Sequence, residues 1–397
     1  MREARPGIRP AVAIYGLFVL VGVLIAAFFP FFGPFLRSRG LAEERIGFVF
    51  SAMAVARIVA NPIFGHLADT RFGRRTILQA GTVASAAFAL LLFSAGERFA
   101  VLAVASALFA GTGGAIGPNV DAIALAHLGD AQQGYGFIRA WESLSYATMT
   151  LLLGFVLQRI GVEWTLPIYA LVGSGILVWS FTLVRDPPAR SEGHGRLGAV
   201  GTVLRESPRY RAFLASMLFI WVGFAAAWNF IALRIEDKGG TLRTVGIGFA
   251  LGGLVEVPVM LLSSRASGRF GLRAVYVTGA CVYATGFLLW GLITSPALLS
   301  MSAAFEGLGF GLLFTSGVAI VGKLVRPELH STGLSLAGTV GFGIGQILGS
   351  LLGGFLYARY GSATLYMTAS SLALSGAILA SMSLNVAVLR RPAAVER

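Results

Sequence analysis

Six ionisable side chains lie inside or at the edge of long apolar runs of this 397-residue sequence. They are Arg57, Asp121, Arg139, Glu142, Glu256 and Glu306. A charge at the centre of a bilayer costs at least about 2.5–3.5 kcal/mol, so it is kept for function or for pairing. A desolvated carboxylate can load and release a proton, and the planar donor fork of arginine can hold a carboxylate or two vicinal hydroxyls. These residue types in apolar runs predict a site that binds a solute or carries protons within a membrane.

The elements that must position these residues are helices that cross the membrane. Hydrophobic residues make up 56% of the sequence and charged residues 12%, which is too apolar for a soluble chain of this length. Apolar runs of about twenty residues, enough to cross a bilayer, predict twelve spans. The spans are roughly 11–36, 46–66, 76–95, 99–122, 138–158, 164–184, 212–233, 245–264, 274–293, 297–320, 331–356 and 362–388. We expect an all-α integral membrane protein, and we expect its first run, too long for a signal-peptide core, to remain as a mature span.

The spans form two halves that are similar in sequence. LLLGFVLQRIG at 151–161 matches LLGGFLYARYG at 351–361 at six of eleven positions, and RFG at 71–73 recurs at 269–271. The offsets of these two pairs of segments are 200 and 198 residues, so both indicate nearly the same repeat length. Such a duplication predicts two pseudo-symmetric six-helix bundles with the solute bound between them.

One long polar stretch separates the halves. It contains Pro187 and Pro188, which bar a continuous helix. We predict an N-terminal bundle over 1–184, a cytoplasmic linker over 185–211 and a C-terminal bundle over 212–397.

The formal charge of +13 supports a membrane topology rather than a nucleic-acid partner, because the basic residues sit in short segments between spans. With both termini in the cytoplasm, 20 Lys and Arg lie on that side and 9 outside, which fits the positive-inside rule. Arginine makes up 29 of the 31 basic residues, a bias typical of GC-rich bacterial genomes. We predict a multi-pass protein of the bacterial inner membrane. The single cysteine, Cys281, excludes an internal disulfide and a cysteine metal cluster.

A charged turn, GHLADTRFGRR at 65–75, lies between the second and third spans. It resembles the signature loop of the major facilitator superfamily, in which a glycine is followed by an aspartate four residues later and then by a glycine and two basic residues. The matching residues are Gly65, Asp69, Gly73, Arg74 and Arg75. Asp69 can accept from backbone donors at a helix start and pair with either arginine, so we expect a cytoplasmic gate here. The alternative is a topology signal that holds the turn inside.

Four further segments resemble the lactose permease and phenylpropionate permease group of proton symporters within that superfamily. They are AFFPFFGPFL at 27–36, IGFVFSA at 46–52, NPIFGHLAD at 61–69 and YGFIRAW at 135–141. The resemblance implies substrate binding by Asp121 and Arg139, whose spacing of 18 residues is also that of the group.

The resemblance also assigns roles to residues of later spans and shows two departures. Glu256 matches an acidic coupling or binding position, and Tyr146, a heptad past Arg139, matches an aromatic that stacks on sugar rings. Glu306 stands where relatives carry a histidine used in proton coupling, and Glu142 stands where they usually carry glycine. A cavity made more acidic in this way is also compatible with a cationic substrate.

Each assignment has a structural alternative. Asp121 and Arg139 lie near span ends and could be interface charges that extend toward water, and Tyr146 could simply pack. Glu256 and Glu306 lie near mid-membrane, as candidate proton carriers, but Glu256 could instead form a static ion pair with Arg57 at equal depth in the other half.

The sequence therefore predicts proton-coupled uptake, by symport with alternating access, of a sugar, an aromatic carboxylate or a similar small polar or anionic solute. Export of sugars or drugs by proton antiport, and a transport-incompetent membrane sensor, remain alternatives. An enzyme is not predicted, because the four histidines fall in loops or at span ends without a nucleophile or metal-ligand spacing. No cofactor or metal is expected, and ATP-driven transport would require a separate subunit. The expected partners are the solute, protons and the lipid bilayer, and the chain is expected to function as a monomer.

Overall fold

The computed structural model describes residues 10–128, 135–183 and 197–384, in which every regular element is helical. The first helices are α1 Pro10–Ala26, α2 Phe32–Ser38, α3 Glu43–Leu67, α4 Arg74–Ser94, α5 Phe99–Gly113, α6 Ile116–Leu128, α7 Tyr135–Ile160 and α8 Thr165–Ser180. The others are α9 Leu197–Glu206, α10 Pro208–Trp228, α11 Ile231–Asp237, α12 Leu242–Phe270, α13 Leu272–Leu292, α14 Pro296–Ser302, α15 Ala304–Leu324, α16 His330–Gly338 and α17 Gln346–Ser383. Two π-helical segments, Ala68–Phe72 and Thr339–Gly345, extend α3 and join α16 to α17.

The described residues cross the membrane as the sequence predicts. Among the described residues, ten helical segments are long and apolar enough to span a bilayer. One of them, Pro327–Ser383, contains 57 residues and breaks at Gly361, so it makes two crossings. Val12–Ala26 is a shorter apolar helix that α2 extends. Counting these together gives the predicted twelve crossings, and the predicted fold class is confirmed.

In the described part of the chain, six glycines with positive φ mark helix ends at repeated positions. They are Gly40, Gly73, Gly161, Gly239, Gly271 and Gly361. They form three pairs whose members are 199, 198 and 200 residues apart along the chain. Glycine adopts this backbone conformation without steric cost because it lacks a Cβ. The same turn geometry therefore recurs in both halves, as expected of a duplication.

Helix breaks also recur at corresponding places. The first span breaks between α1 and α2 and the seventh between α10 and α11, while the fourth breaks between α5 and α6 and the tenth between α14 and α15. The break before α6 lies in a glycine-rich stretch that includes Gly113 and Gly114, which weakens a helix. The break in the tenth span falls at Ala303, so Glu306 lies in the first turn of α15.

The described residues divide into two compact units. The first contains the described parts of Met1–Leu41, Ala52–Glu192 and Thr241–Ala250. The second contains Ala42–Ser51 and the described parts of Gly193–Gly240 and Leu251–Arg397. The start of α12 thus belongs to the first unit and the start of α3 to the second.

A pair of glycines brings two helices into close contact inside each unit. In the first unit, a Cβ on Gly154 of α7 would lie 3.0 Å from the Gly246 Cα of α12. In the second unit, a Cβ on Gly47 of α3 would lie 2.9 Å from the Gly354 Cα of α17. The two contacts are copies of each other, since Gly47 and Gly246 are 199 residues apart and Gly154 and Gly354 are 200 apart. Small residues of this kind allow helices to approach closely in membranes.

Four glycines, spaced four residues apart, form a ridge along the π-helical segment Thr339–Gly345 and α17. The ridge packs against α10 and against Phe230, which follows α10. A Cβ added at Gly341 would lie 3.0 Å from Trp221 Cδ1, and one added at Gly345 would lie 2.9 Å from Trp221 Cβ. A Cβ added at Gly349 would lie 2.6 Å from Ala225 Cβ, and one added at Gly353 would lie 2.9 Å from Phe230 Cε2. The ridge therefore serves packing inside the second unit.

Substitution of one ridge glycine is expected to destabilise the protein. Gly349→Ala should lower the free energy of unfolding by about 1–3 kcal/mol, because the added methyl group overpacks the contact with Ala225 and the Val222 carbonyl. Gly338→Ala in α16 is the matched control, since a Cβ there meets open space among the described residues. Thermal melting of the purified protein in detergent measures the difference. Equal melting temperatures for the two variants would contradict the close packing at Gly349.

The predicted linker contains a helix that the sequence analysis missed. Residues 185–196 lie outside the described part of the chain, whereas α9 occupies Leu197–Glu206 and packs against α10 and α16. Val203 on α9 is 2% exposed. Ser207 then caps α10 by accepting the Tyr210 N–H at 3.2 Å, and Pro208 takes the first helical position.

Candidate functional site

An ion pair on α7 joins two of the predicted site residues in the first unit. Arg139 and Glu142 are three residues apart, which places them on one helix face, and their side chains form a salt bridge. Glu142 is 6% exposed, whereas the side chain of Arg139 is 48% exposed. The guanidinium group is thus held at one side by a buried carboxylate and keeps an accessible face that could receive an anionic or hydroxylated solute.

Asp121 on α6 joins this cluster through a tyrosine. The Tyr135 hydroxyl donates to Asp121 Oδ1 at 2.8 Å, and Asp121 is an electrostatic neighbour of Arg139. Asp121 is half-buried. The structure therefore brings together Asp121, Arg139 and Glu142, with Glu142 rather than Asp121 as the direct partner of the arginine. Sequence reasoning did not single out Tyr135, although it begins the YGFIRAW motif.

Tyr146 lies two turns further along α7 and is half-buried. Helix α1 packs close to the same stretch, because a Cβ on Gly22 would lie 3.0 Å from the Tyr146 amide nitrogen. The aromatic ring is therefore held on a helix that is packed against its neighbour, at the position where stacking on a solute ring is expected from the sequence.

Arg57 on α3 belongs to a different part of the first unit. Its side chain is exposed, and Tyr169 of α8 is its electrostatic neighbour. The Tyr169 hydroxyl donates to Ser85 Oγ at 3.2 Å, and its ring packs 4.8 Å from that of Phe109 between centroids. Tyr169 was not identified from the sequence, because an isolated aromatic in an apolar span has no distinguishing pattern.

The carboxylates Glu256 of α12 and Glu306 of α15 are electrostatic neighbours in the second unit. Glu306 is 7% exposed and Glu256 is half-buried. Their helices touch directly beside them: a Cβ on Gly307 would lie 3.0 Å from the Glu256 amide nitrogen, and one on Gly252 would lie 3.1 Å from Glu306 Oε2. The structure thus brings together the two residues predicted for proton coupling.

A cluster of stacked aromatic rings adjoins this carboxylate pair. Tyr283 of α13 is an electrostatic neighbour of both carboxylates. Its ring stacks on Phe224 with 5.4 Å between centroids, and Phe224 stacks on Trp228 at 6.1 Å. Such rings provide apolar surface for a solute ring and a face for a cation. The sequence did not predict this cluster, because Tyr283 lies on α13 whereas Phe224 and Trp228 lie on α10.

The charged turn at 65–75 ends α3 and begins α4. Gly73 adopts φ 78°, which stops the π-helical segment and allows α4 to start at Arg74. Arg74 Nε lies 3.7 Å from Asp69 Oδ1, and Arg74 Nη1 donates to the Ala122 carbonyl at 3.2 Å. Arg75 Nη1 donates to the Leu183 carbonyl at 2.8 Å. The turn therefore contacts α6 at the residue next to Asp121 and the chain just after α8.

Removal of the Asp69 carboxylate is expected to have a small effect on stability and a larger one on transport rate. The Asp69 and Arg74 side chains are 45% and 29% exposed, so their pairing contributes about 0–1 kcal/mol. Asp69→Asn should therefore melt close to the parent protein. If the pair is a gate that breaks in each cycle, the variant should have a lower initial rate of solute uptake, and Asp69→Glu should restore it. Identical uptake rates in the parent and Asp69→Asn would rule out the gate.

Twelve membrane crossings among the described residues, in two repeated halves and with ionisable clusters on apolar helices, define a membrane transport protein of the major facilitator fold. The sequence model of the MFS_1-like family matches residues 14–368. The chain belongs to that family, and the predicted superfamily is confirmed.

Related proteins of known name are transporters. Maltose permease of Geobacillus stearothermophilus is 25% identical over 370 residues, which cover 91% of this chain and 91% of the permease. The probable 3-phenylpropionic acid transporter of Escherichia coli strain K12 is 24% identical over 254 residues, covering 64% of this chain and 66% of that protein. The crystal structure of a mutant of the nucleoside transporter NupG is 16% identical, with a TM-score of 0.85, and covers 95% of this chain and 100% of that one. The last similarity concerns the fold alone.

Proposed function

We propose that this protein is a proton symporter that carries a small polar or anionic organic solute across the bacterial inner membrane by alternating access. The observation that carries the proposal is the placement of Glu306, 7% exposed, beside a second carboxylate, Glu256. Repulsion between two neighbouring carboxylates is relieved when one of them binds a proton. A pair of this kind can therefore couple a proton to the conformational cycle of a carrier.

The solute class is proposed from the α7 cluster and from the relatives. An arginine with one face toward a buried carboxylate and the other accessible suits a carboxylate or vicinal hydroxyls, the groups of aromatic acids and sugars. Maltose permease and the probable 3-phenylpropionic acid transporter are named for a solute of each kind. Asp121 and Tyr135 would accept or donate to a solute hydroxyl beside Arg139.

The proposal also includes the orientation of the protein in the membrane and the parts of the chain that move during transport. The excess of Lys and Arg in the termini and in the loops on the same side of the membrane supports a cytoplasmic location for both termini. We infer that the six-helix halves 1–184 and 212–397 rock about the solute, with the linker between them, in a monomer.

Uptake into vesicles tests the function. Purified protein is reconstituted into proteoliposomes, and an inward proton gradient is imposed with radiolabelled maltose, a second disaccharide or 3-phenylpropionate outside. We expect accumulation of one solute above the equilibrium level, and we expect a protonophore to abolish it. Accumulation driven only by an outward gradient would indicate antiport and overturn the symport proposal, and failure of every polar or anionic solute to bind would overturn the solute class.

A further inference from the structure

A cavity of about 690 Å³ opens at the turn between α12 and α13 in the second unit. Its lining includes Ser267, Arg269, Gly271, Arg273, Thr278 and Ser381. Two of these side chains are cationic, and in the described part of the chain no Asp or Glu lines the cavity. The cavity therefore offers positive charge and hydroxyl groups in a concave space, which is the chemistry of an anion site.

This turn is the second copy of the charged turn at 65–75, and it lacks both residues of the ion pair in the first copy, so it contains no carboxylate. Asp69 and Arg74, whose Oδ1 and Nε atoms lie 3.7 Å apart in the first copy, have Ser267 and Leu272 as their counterparts 198 residues further on. Arg269 and Arg273 keep the positions of Arg71 and Arg75 at the same offset. The second copy thus retains cationic side chains without the carboxylate.

The second copy also lacks the ring that covers an arginine in the first. The Arg75 guanidinium lies 5.2 Å from the centroid of the Phe181 ring, at the end of α8. The residue 200 positions after Phe181 is Ser381, which lines the same cavity as Arg273. Replacement of a phenyl ring by a hydroxymethyl group removes most of the volume that would fill this space.

The start of α13 adds to the positive potential. Gly271 has φ 88° and ends α12, and its N–H donates to the Ser267 carbonyl at 2.9 Å, so that α13 begins at Leu272 next to the cavity. The first backbone N–H groups of a helix have no partner within it and favour an anion there. This effect and the two arginines act on the same space.

The place of the cavity in the chain indicates which anion reaches it. It lies where α12 ends, where α13 begins and near the end of α17, so it is at one end of three membrane-spanning segments. Phe270 is 65% exposed, and the Arg269 guanidinium lies 5.3 Å from its ring centroid. An exposed aromatic ring beside cationic side chains suits the boundary between acyl chains and headgroups. We propose that this cavity binds the phosphate group of an anionic phospholipid.

Native mass spectrometry of the intact chain in detergent tests the proposal, with dioleoylphosphatidylglycerol as the probe. The double variant Arg269→Gln, Arg273→Gln is expected to bind the lipid at least fivefold more weakly than the parent. Ser267→Asp, which restores the carboxylate of the first copy, should also weaken binding. Arg71→Gln changes the matching arginine of the first copy and is the control, with unchanged affinity.

Two further binding measurements distinguish the phosphate of a lipid headgroup from that of a small soluble phosphate. Dioleoylphosphatidylcholine, whose headgroup has no net charge, should bind more weakly than phosphatidylglycerol, and glycerol phosphate should not compete with the lipid. Competition by glycerol phosphate at the lipid's own affinity would overturn the lipid assignment. Unchanged phosphatidylglycerol affinity in Ser267→Asp, with a melting temperature equal to that of the parent, would overturn the site even if the double variant fails to fold.

Discussion

Glu306→Gln is expected to abolish solute accumulation driven by a proton gradient while leaving solute exchange intact. Glutamine has nearly the volume of glutamate and keeps hydrogen-bonding groups, but it cannot bind and release the proton. A gradient of one pH unit supplies about 1.4 kcal/mol per proton, which is about tenfold in solute concentration. The parent should approach this accumulation in proteoliposomes, whereas the variant should stop at equal concentrations on both sides. Counterflow of labelled solute, which needs no net proton movement, should persist in the variant.

The controls for this experiment come from the same region of the chain. Glu328→Gln changes an exposed carboxylate in the short 3₁₀ segment after α15 and should accumulate like the parent. Glu256→Gln tests the neighbour of Glu306 in the same way. Glu306→Gln should not melt below the parent, because it removes one of two neighbouring like charges. If Glu306→Gln and Glu256→Gln both keep full accumulation, neither carboxylate is the proton carrier. That result would leave the proposed solute site at Arg139 standing, because it is tested separately.

Arg139→Ala is expected to weaken solute binding at least about 30-fold. The substitution removes a charge-assisted contact worth about 2 kcal/mol or more to an anionic or hydroxylated solute. It also leaves Glu142, 6% exposed, without the guanidinium group that it pairs with on α7. We therefore expect a second effect, a loss of about 1.5–3 kcal/mol of stability. Equilibrium binding of the transported solute and thermal melting measure the two effects separately.

A double variant separates loss of the solute contact from loss of folding. Arg139→Ala combined with Glu142→Gln removes the unpaired buried charge, so it should recover most of the melting temperature but none of the solute affinity. Arg139→Lys keeps the charge without the planar fork, and its affinity should lie between those of the parent and the alanine variant. Affinity that returns together with stability in the double variant would show that Arg139 serves the fold and does not contact the solute.

The spans were predictable because a bilayer imposes a length and an apolar composition on each of them. The helix ends were less predictable from the sequence. The eighth span was predicted at 245–264, but α12 runs from Leu242 to Phe270. Apolarity reports the thickness of the hydrocarbon layer, whereas the helix continues past it until Gly271 adopts a positive φ. Helix α9 was not predicted, because one of the two helices that it packs against, α16, is distant in the sequence.

The candidate residues of the site were found by their charge, but their partners were not. Arg139 and Glu142 are three residues apart on one helix, so their pairing follows from helix geometry alone. Tyr135 and Asp121 belong to different helices, and so do Glu306 and Glu256, whose proximity depends on close packing of α12 and α15 at Gly252 and Gly307. No local pattern reports such a contact, because it arises from the way helices cross.

The charged turn at 65–75 and its second copy show the same division between sequence and structure. The sequence by itself determined the class of the protein, its crossings and its duplication, because these depend on composition and on local backbone preferences. Only the tertiary structure decided that Arg74 reaches Asp69 and the Ala122 carbonyl in the first copy. It also decided that Arg269 and Arg273 line a cavity with Ser381 in the second. The reason is physical: a side chain's type follows from the sequence, but its partners depend on which distant helices pack beside it.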